Sequence, residues 1–230
     1  MNAKNLSDRL KTVASYVEKN TILADIGSDH AYLPCYLVHQ STIKKAIAGE
    51  VVKGPYESAL KQVKNEGLEN QIEVRFGDGL QVINEEDHVG TITIAGMGGP
   101  LIASILEAGK HKLTNVHTLI LQPNIHAKAI REWAVKEGWK IEEETILEEH
   151  SKIYEVIVLK KGSMTLTEQE LLVGPILMQV RTNIFKKKWS VEVKEWERIW
   201  TQLKTISNST EVEHKIMELE NKMSIVKELL

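Results

Sequence analysis

From Thr21 onward, apolar runs of strand length alternate with stretches whose apolar residues recur every three to four positions. That alternation predicts a parallel sheet with crossover helices. TILADI is the first strand, and a helix over AYLPCYLVH follows its turn. IKKAIAGEV is the second strand, VKGPYESALKQVKNEGL a helix stopped by Gly67, IEVRFGDGL the third strand and TITIAGMGG the fourth. A helix over PLIASILEAGKHKL leads to a fifth strand, TLILQPN, which runs into the helix IHAKAIREWAVKEG. The rhythm then changes. WKIEEETILEEH and KIYEVIVLKKG are two strand-like runs with only a short polar turn between them, which predicts a terminal antiparallel hairpin on a doubly wound sheet.

Beyond Gly162 the pattern is helical throughout. Trp189, Val193, Trp196, Trp200 and Leu203 alternate four and three apart, as do Val212, Ile216, Leu219, Met223, Val226 and Leu230. This is the spacing of a coiled-coil seam. Between the two runs lies SNST, whose Thr210 has capping-box spacing with Glu213 for the start of the second helix. The chain therefore divides into a domain over 1–162 and an antiparallel helical coiled-coil hairpin over 163–230. Lysines and arginines balance the acids in this tail. The run Lys186, Lys187, Lys188 reads as a solvated helix face or as a set of phosphate contacts.

Composition narrows the class without naming a chemistry. A chain of 230 residues with 42% hydrophobic content and a formal net charge of -3 is an ordinary globular protein with no overall basic bias. No apolar run is long enough to span a bilayer and MNAKNLSDRL lacks a signal-peptide core, so a cytoplasmic location is expected and no membrane partner. The single cysteine, Cys35, excludes an internal disulfide and a cysteine metal cluster, and reads as a packed core residue. Neither HExxH nor GxxxxGK[ST] occurs, and no metal is expected.

In an open parallel sheet, ligands bind outside the carboxyl ends of the strands, where strand order reverses. Those ends carry Asp25, Gly27 and Asp29 after strand one, Glu50 after strand two, Asp78 and Gly79 after strand three, and Gly96, Met97, Gly98 and Gly99 after strand four. Gly27 lets backbone approach a ligand closely. Glu50 can accept both hydrogen bonds of a ribose diol. Asp78 can accept one from an adenine amine, and the glycines after strand four leave room beside a reacting group. Four such strand ends in succession describe a nucleoside site. The turn GSDHA nevertheless lacks the glycines of a dinucleotide loop, and a pyrophosphate needs a helix N-terminus free of bulk and negative charge. Asp29 and His30 occupy that place. A carboxylate there repels phosphates and suits a cationic ligand such as the ammonium and sulfonium of S-adenosylmethionine.

The ordered motifs DIGSDHAYLP, AGEV, FGDGL, AGMGG and LQPN resemble those of the bacterial tRNA adenine-N1 methyltransferase family called TrmK, over nearly the whole chain. The resemblance implies a class I methyltransferase: an α/β, doubly wound, seven-stranded sheet with a coiled-coil appendage, using S-adenosyl-L-methionine to methylate N1 of the adenine at tRNA position 22. It also implies donor contacts at Asp25, Gly27, Asp29, His30, Glu50, Asp78, Gly79, Gly96, Met97 and Gly98. AGMGG stands where exocyclic-amine methyltransferases carry an Asn/Asp-Pro-Pro-aromatic motif, which argues against an amino-group acceptor.

Adenine N1 offers an in-plane lone pair at neutral pH, so attack on the methyl carbon needs positioning and electrostatics more than a general base. Methylation leaves the ring cationic. Asp29 is the candidate catalytic group for that charge, with a helix N-cap as its other reading. A flipped-out base could stack on Tyr32 and hydrogen-bond Asn124, unless Tyr32 is only packed and Asn124 only caps the following helix. Arg9 reads as a contact to the donor's carboxylate, a contact to an RNA phosphate, or a solvated residue. The partner is tRNA and the protein is expected to be a monomer. A methyltransferase for another RNA adenine or a small molecule, and a donor-binding scaffold, use the same loops; a dehydrogenase is the remote alternative.

Overall fold

The computed structural model describes residues 2–205 and 209–230 and divides into two compact units, Met1–Thr165 and Leu166–Leu230. In the first, the elements run α1 (Asp8–Ser15), β1 (Ile22–Ile26), α2 (Tyr32–His39), β2 (Lys45–Glu50), α3 (Lys53–Asn65), β3 (Ile72–Phe76), β4 (Thr91–Gly98), α4 (Gly99–Ala108), β5 (Thr118–Ile125), α5 (Lys128–Lys136), β6 (Trp139–Glu149) and β7 (Lys152–Lys161). One seven-stranded sheet has the order β3-β2-β1-β4-β5-β7-β6. Pairing is parallel from β3 through β5, and β7 is antiparallel to both β5 and β6.

The strands are apolar on both sides because helices cover both faces. In β1, Leu23 faces the layer holding Val13 of α1, Leu37 of α2 and Val63 of α3, while Ala24 and Ile26 face the layer holding Ile102 of α4 and Trp133 of α5. Cys35 is buried among the first set, and burial pushes its thiol up to about 12, so it is an inert core residue. Gly67, with φ +69, follows the end of α3 in the left-handed conformation expected of a stop.

Several boundaries differ from the sequence expectation. The third strand ends at Phe76, and Gly79, with φ +52, turns the chain into the 3₁₀ stretch Gly79–Val82. The helix expected over PLIASILEAGKHKL stops at Ala108, and Lys110–Leu113 form a separate 3₁₀ turn. Strand β5 extends to Ile125, and the next helix begins only at Lys128. Met164, beyond the last strand, accepts the backbone N–H of Ile141 on its sulfur at 3.3 Å and packs on the core of the first unit, so the division falls after Thr165.

The second unit contains α6 (Glu168–Val173), α7 (Leu177–Val180), α8 (Asn183–Leu203) and α9 (Thr210–Lys227). Helices α8 and α9 run antiparallel: Lys227 Nζ meets Glu197 at 2.7 Å, and Trp200 Nε1 donates to Glu220 at 2.9 Å. Trp189, Val193, Leu219, Met223 and Val226 are buried, as the spacing predicts. The last position is corrected: Leu229 is buried and Leu230 exposed, because α9 ends at Lys227 and the chain no longer follows the helical period. Thr210 is not a cap either. Ser209 caps α9 by accepting from the Val212 N–H at 3.3 Å, while the capping box belongs to Thr167 and Glu170 of α6; Ser207 and Asn208 of SNST lie outside the described residues. Among the described residues no helix is long and apolar enough to cross a membrane.

Candidate active site

Strand order reverses at β1, which lies between β2 and β4, and a cavity of about 480 Å³ opens at the carboxyl ends of these strands. Of the residues expected from sequence, Arg9, Asp25, Gly27, Asp29, Tyr32, Glu50, Asp78, Gly79, Gly96 and Met97 line it; His30, Gly98 and Asn124 do not.

The loop after β1 is strained and held from several directions. Gly27, Asp29 and Ala31 take φ of 70°, 56° and 53°. Glycine takes such a φ freely, but at Asp29 and Ala31 it persists only where the surroundings over-determine it. Gly27 and Ser28 donate their N–H groups to Gly49 O at 2.9 and 3.2 Å. Ser28 Oγ donates to Asp25 Oδ2 at 2.5 Å, and Thr93 Oγ1 to Asp25 Oδ1 at 2.6 Å. The Asp29 N–H donates to Glu50 Oε1. Asp25 is therefore a buried buttress of the loop, and burial pushes its carboxyl up to about 6 against the pull of Ser28 and Thr93. Burial also raises Glu50, opposed by the bond from Asp29. Both groups are acids that the fold keeps out of water while giving them donors, an arrangement found at functional sites.

The N-cap reading of Asp29 does not hold. Ala31 stands at the cap of α2, which has no side-chain cap, and the Asp29 side chain is 68% exposed, its Oδ1 3.7 Å from His30 Nε2. The His30 ring stacks on Tyr32 at 5.1 Å; Tyr32 lines the cavity, and His30 lies outside its lining.

On the opposite wall the end of β4 departs from regular pairing at Met97, with register shifts on both sides of it, and Gly96 takes φ +84. A bulge of this kind re-aims a side chain: Met97 Cε fills the space where a Cβ on Gly27 would stand. The Asn124 side chain does not cap a helix, since Ala127 holds that position; its Nδ2 donates to Gly96 O at 2.7 Å. Arg9 is not a solvated residue. Its Nη1 donates to Gln122 Oε1 and its guanidinium lies 5.4 Å from the Tyr154 ring centroid. Below Asp78, Arg75 joins Asp87 at 2.5 Å, Glu73 at 2.7 Å and the Val82 carbonyl at 2.9 Å, fixing the turn that carries Asp78 and Gly79.

Sequence reasoning missed Ser28, Thr93 and Gln122. Ser28 and Gln122 lie inside the quoted motifs, whereas Thr93 gives no local signal. No group of three His, Cys, Asp or Glu side chains is placed to hold a metal ion among the described residues.

The strand order, the acid at the end of β2 and the glycine-walled cavity together define an S-adenosylmethionine-dependent methyltransferase of class I. A family model described as TrmK: tRNA (adenine(22)-N(1))-methyltransferase matches residues 23–228. A tRNA (adenine(22)-N(1))-methyltransferase of Bacillus subtilis is 47% identical over 236 residues, covering 100% of this chain and 99% of the relative. The crystal structure of the B. subtilis m1A22 tRNA methyltransferase TrmK superposes with a TM-score of 0.93 at 46% identity, covering 98% of this chain and 99% of that one. A Streptococcus pneumoniae chain solved in complex with S-adenosyl-L-methionine gives 0.90 at 44% identity, covering 98% and 100%. The chain belongs to the TrmK family of tRNA (adenine(22)-N(1))-methyltransferases.

Proposed function

We propose that this protein transfers the methyl group of S-adenosyl-L-methionine to N1 of the adenine at position 22 of tRNA. The observation that carries the reading is the cavity where Gly27, Glu50, Asp78 and Met97 converge from four strand ends, in a chain of the TrmK family. The residues present suit the donor. Glu50, in the cavity lining, is assigned to the ribose diol, Asp78 and Gly79 to the adenine, and the glycine at 27, backed by Met97, to the close approach of the sulfonium end. Asp25 acts from beneath by fixing the loop. His30 and Gly98 shape the margins, through the ring stack and the turn into α4.

The donor supplies an electrophilic methyl group. Asp29 presents a carboxylate at the mouth, where it offsets the positive charge that N1-methylation leaves on the purine, and Tyr32 offers a ring for the flipped base. Asn124 serves by holding the Gly96 carbonyl, which keeps the β4 loop in shape beside the acceptor. The reading takes the enzyme to act as a monomer in the cytoplasm, on a tRNA substrate. The fold over 1–165 carries the chemistry and the helical unit over 166–230 contributes to tRNA binding.

Incubation with methyl-labelled donor and unmodified tRNA, followed by nuclease mapping, tests the reading. Label in 1-methyladenosine at position 22 is expected. Donor binding without transfer to tRNA would overturn it in favour of a scaffold, and label at another base would reassign the substrate.

A further inference from the structure

Gln122, in β5, is fully buried, and each hydrogen-bonding site of its amide is taken. Its Oε1 accepts the Gly96 N–H at 3.0 Å and Arg9 Nη1; its Nε2 donates to Pro123 O at 2.9 Å and to Asn124 Oδ1 at 3.3 Å. Because both neighbours on one side are obligate donors, the oxygen must face them, and the amide has one possible orientation. A buried amide with two acceptor bonds and two donor bonds satisfied is rigid, and removing its oxygen strands a backbone N–H and a cation.

The two groups sharing that oxygen belong to different parts of the cavity wall. Arg9 comes from α1, and its guanidinium reaches the open side of Gly96, 3.6 Å from where a Cβ would stand. Gly96 begins the bulged run that places Met97 against Gly27. Asn124, held by the other end of the same amide, closes the circuit by binding the Gly96 carbonyl. Both the N–H and the C=O of Gly96 are thus fixed by members of LQPN two positions apart, one of them also anchoring a cation that lines the cavity.

We propose that Gln122 is a positioning residue: it holds Arg9 as the contact for the donor's amino-acid carboxylate and, through the same oxygen, registers the Gly96–Met97 wall against it. The inference rests on the donor-site reading. Gln122→Met keeps the volume and removes the oxygen; Gln122→Glu keeps an acceptor facing Arg9 and Gly96. Isothermal titration with S-adenosyl-L-homocysteine and thermal melting of each variant form the test. Gln122→Met should weaken binding at least tenfold, and Gln122→Glu should recover most of that loss. Arg9→Met should weaken binding as well, and the Arg9→Met/Gln122→Met double variant should bind no worse than Gln122→Met alone. A wild-type protein that fails to bind would overturn the donor-site reading itself. With a binding wild type, unchanged affinity in Gln122→Met, or losses that simply add in the double variant, overturns the positioning role alone. Should Gln122→Met not fold, Arg9→Met decides: wild-type affinity there overturns the proposal, and a tenfold loss that deepens little in Arg9→Met/Gln122→Glu supports it.

Discussion

Glu50 Oε1, at the end of β2, accepts the backbone N–H of Asp29 in the loop after β1, so the position of Asp29 is set through its main chain while its side chain is mostly exposed, with Oδ1 3.7 Å from His30 Nε2. Charge and scaffold are thereby separable at this residue. Asp29→Asn keeps a side chain tolerant of φ 56° and removes the carboxylate. Turnover should fall by about a hundredfold, the scale of losing one group aimed at developing charge, with donor affinity changed only a few-fold. Steady-state kinetics beside donor titration will tell; matching losses in both would reject the catalytic role.

Much of this site was legible before any coordinates because its groups sit where strand runs end. Asp25, Glu50, Gly96 and Met97 follow apolar stretches whose lengths fix where the ligand edge must lie. Their supports were not legible. Thr93 sits in a strand where a β-branched residue needs no explanation, and its bond to Asp25 depends on β1 lying beside β4. Nothing local in the sequence links Arg131, in the run IHAKAIREW, to Glu144 in WKIEEETILEE or to Glu155 in KIYEVIVLKK. In the fold Arg131 is fully buried and meets Glu144 at 2.8 Å and Glu155 at 2.6 Å. Such pairings arise between elements, and periodicity within one element carries no trace of them.

Gly27→Ala should cost about 1–3 kcal/mol in stability for a methyl-bearing residue at φ +70°. It should also weaken donor binding at least tenfold, since the new Cβ overlaps Met97 Cε and displaces it. Adding Met97→Ala should relieve the overlap without relieving the backbone. Urea denaturation separates the two effects, and stability equal to wild type in Gly27→Ala would contradict the strain.

Asp25 makes stability depend on pH in a direction opposite to most buried pairs. Its carboxyl titrates at about 6 in the fold against an ordinary value of 3.8, so between these values the native state keeps a proton that the unfolded chain has released. Stability attributable to this group therefore falls as pH rises from 4 to 6, by about 3 kcal/mol at 1.36 kcal/mol per pH unit, and is level above that. Asp25→Asn can still accept from one of Ser28 and Thr93 and donate to the other. Its stability relative to wild type should rise across the same window; denaturation midpoints at pH 4, 5, 6 and 7 that differ by a constant amount would rule this out.

Removing Arg131 leaves the buried carboxylates of Glu144 and Glu155 facing each other without its charge. Arg131→Met should destabilise by about 3–5 kcal/mol, the range for breaking a buried ion pair from one side. Combining it with Glu144→Gln and Glu155→Gln should recover part of the loss, because the uncompensated charges go with it. A triple variant less stable than Arg131→Met would show that the acids have other essential partners.

The end of the helical unit offers a sharper contrast, since two adjacent leucines are assigned opposite roles by spacing and by structure. Heptad spacing from Val226 selects Leu230, whereas the chain leaves the helix after Lys227 and buries Leu229 to 4% exposure while leaving Leu230 at 43%. A buried leucine truncated to alanine costs about 2–5 kcal/mol through lost transfer energy and the cavity left behind; an exposed one costs little. Leu229→Ala should therefore lower the melting temperature by several degrees, with Leu230→Ala near wild type. The reverse order would mean that α9 continues through the terminus with the spacing intact.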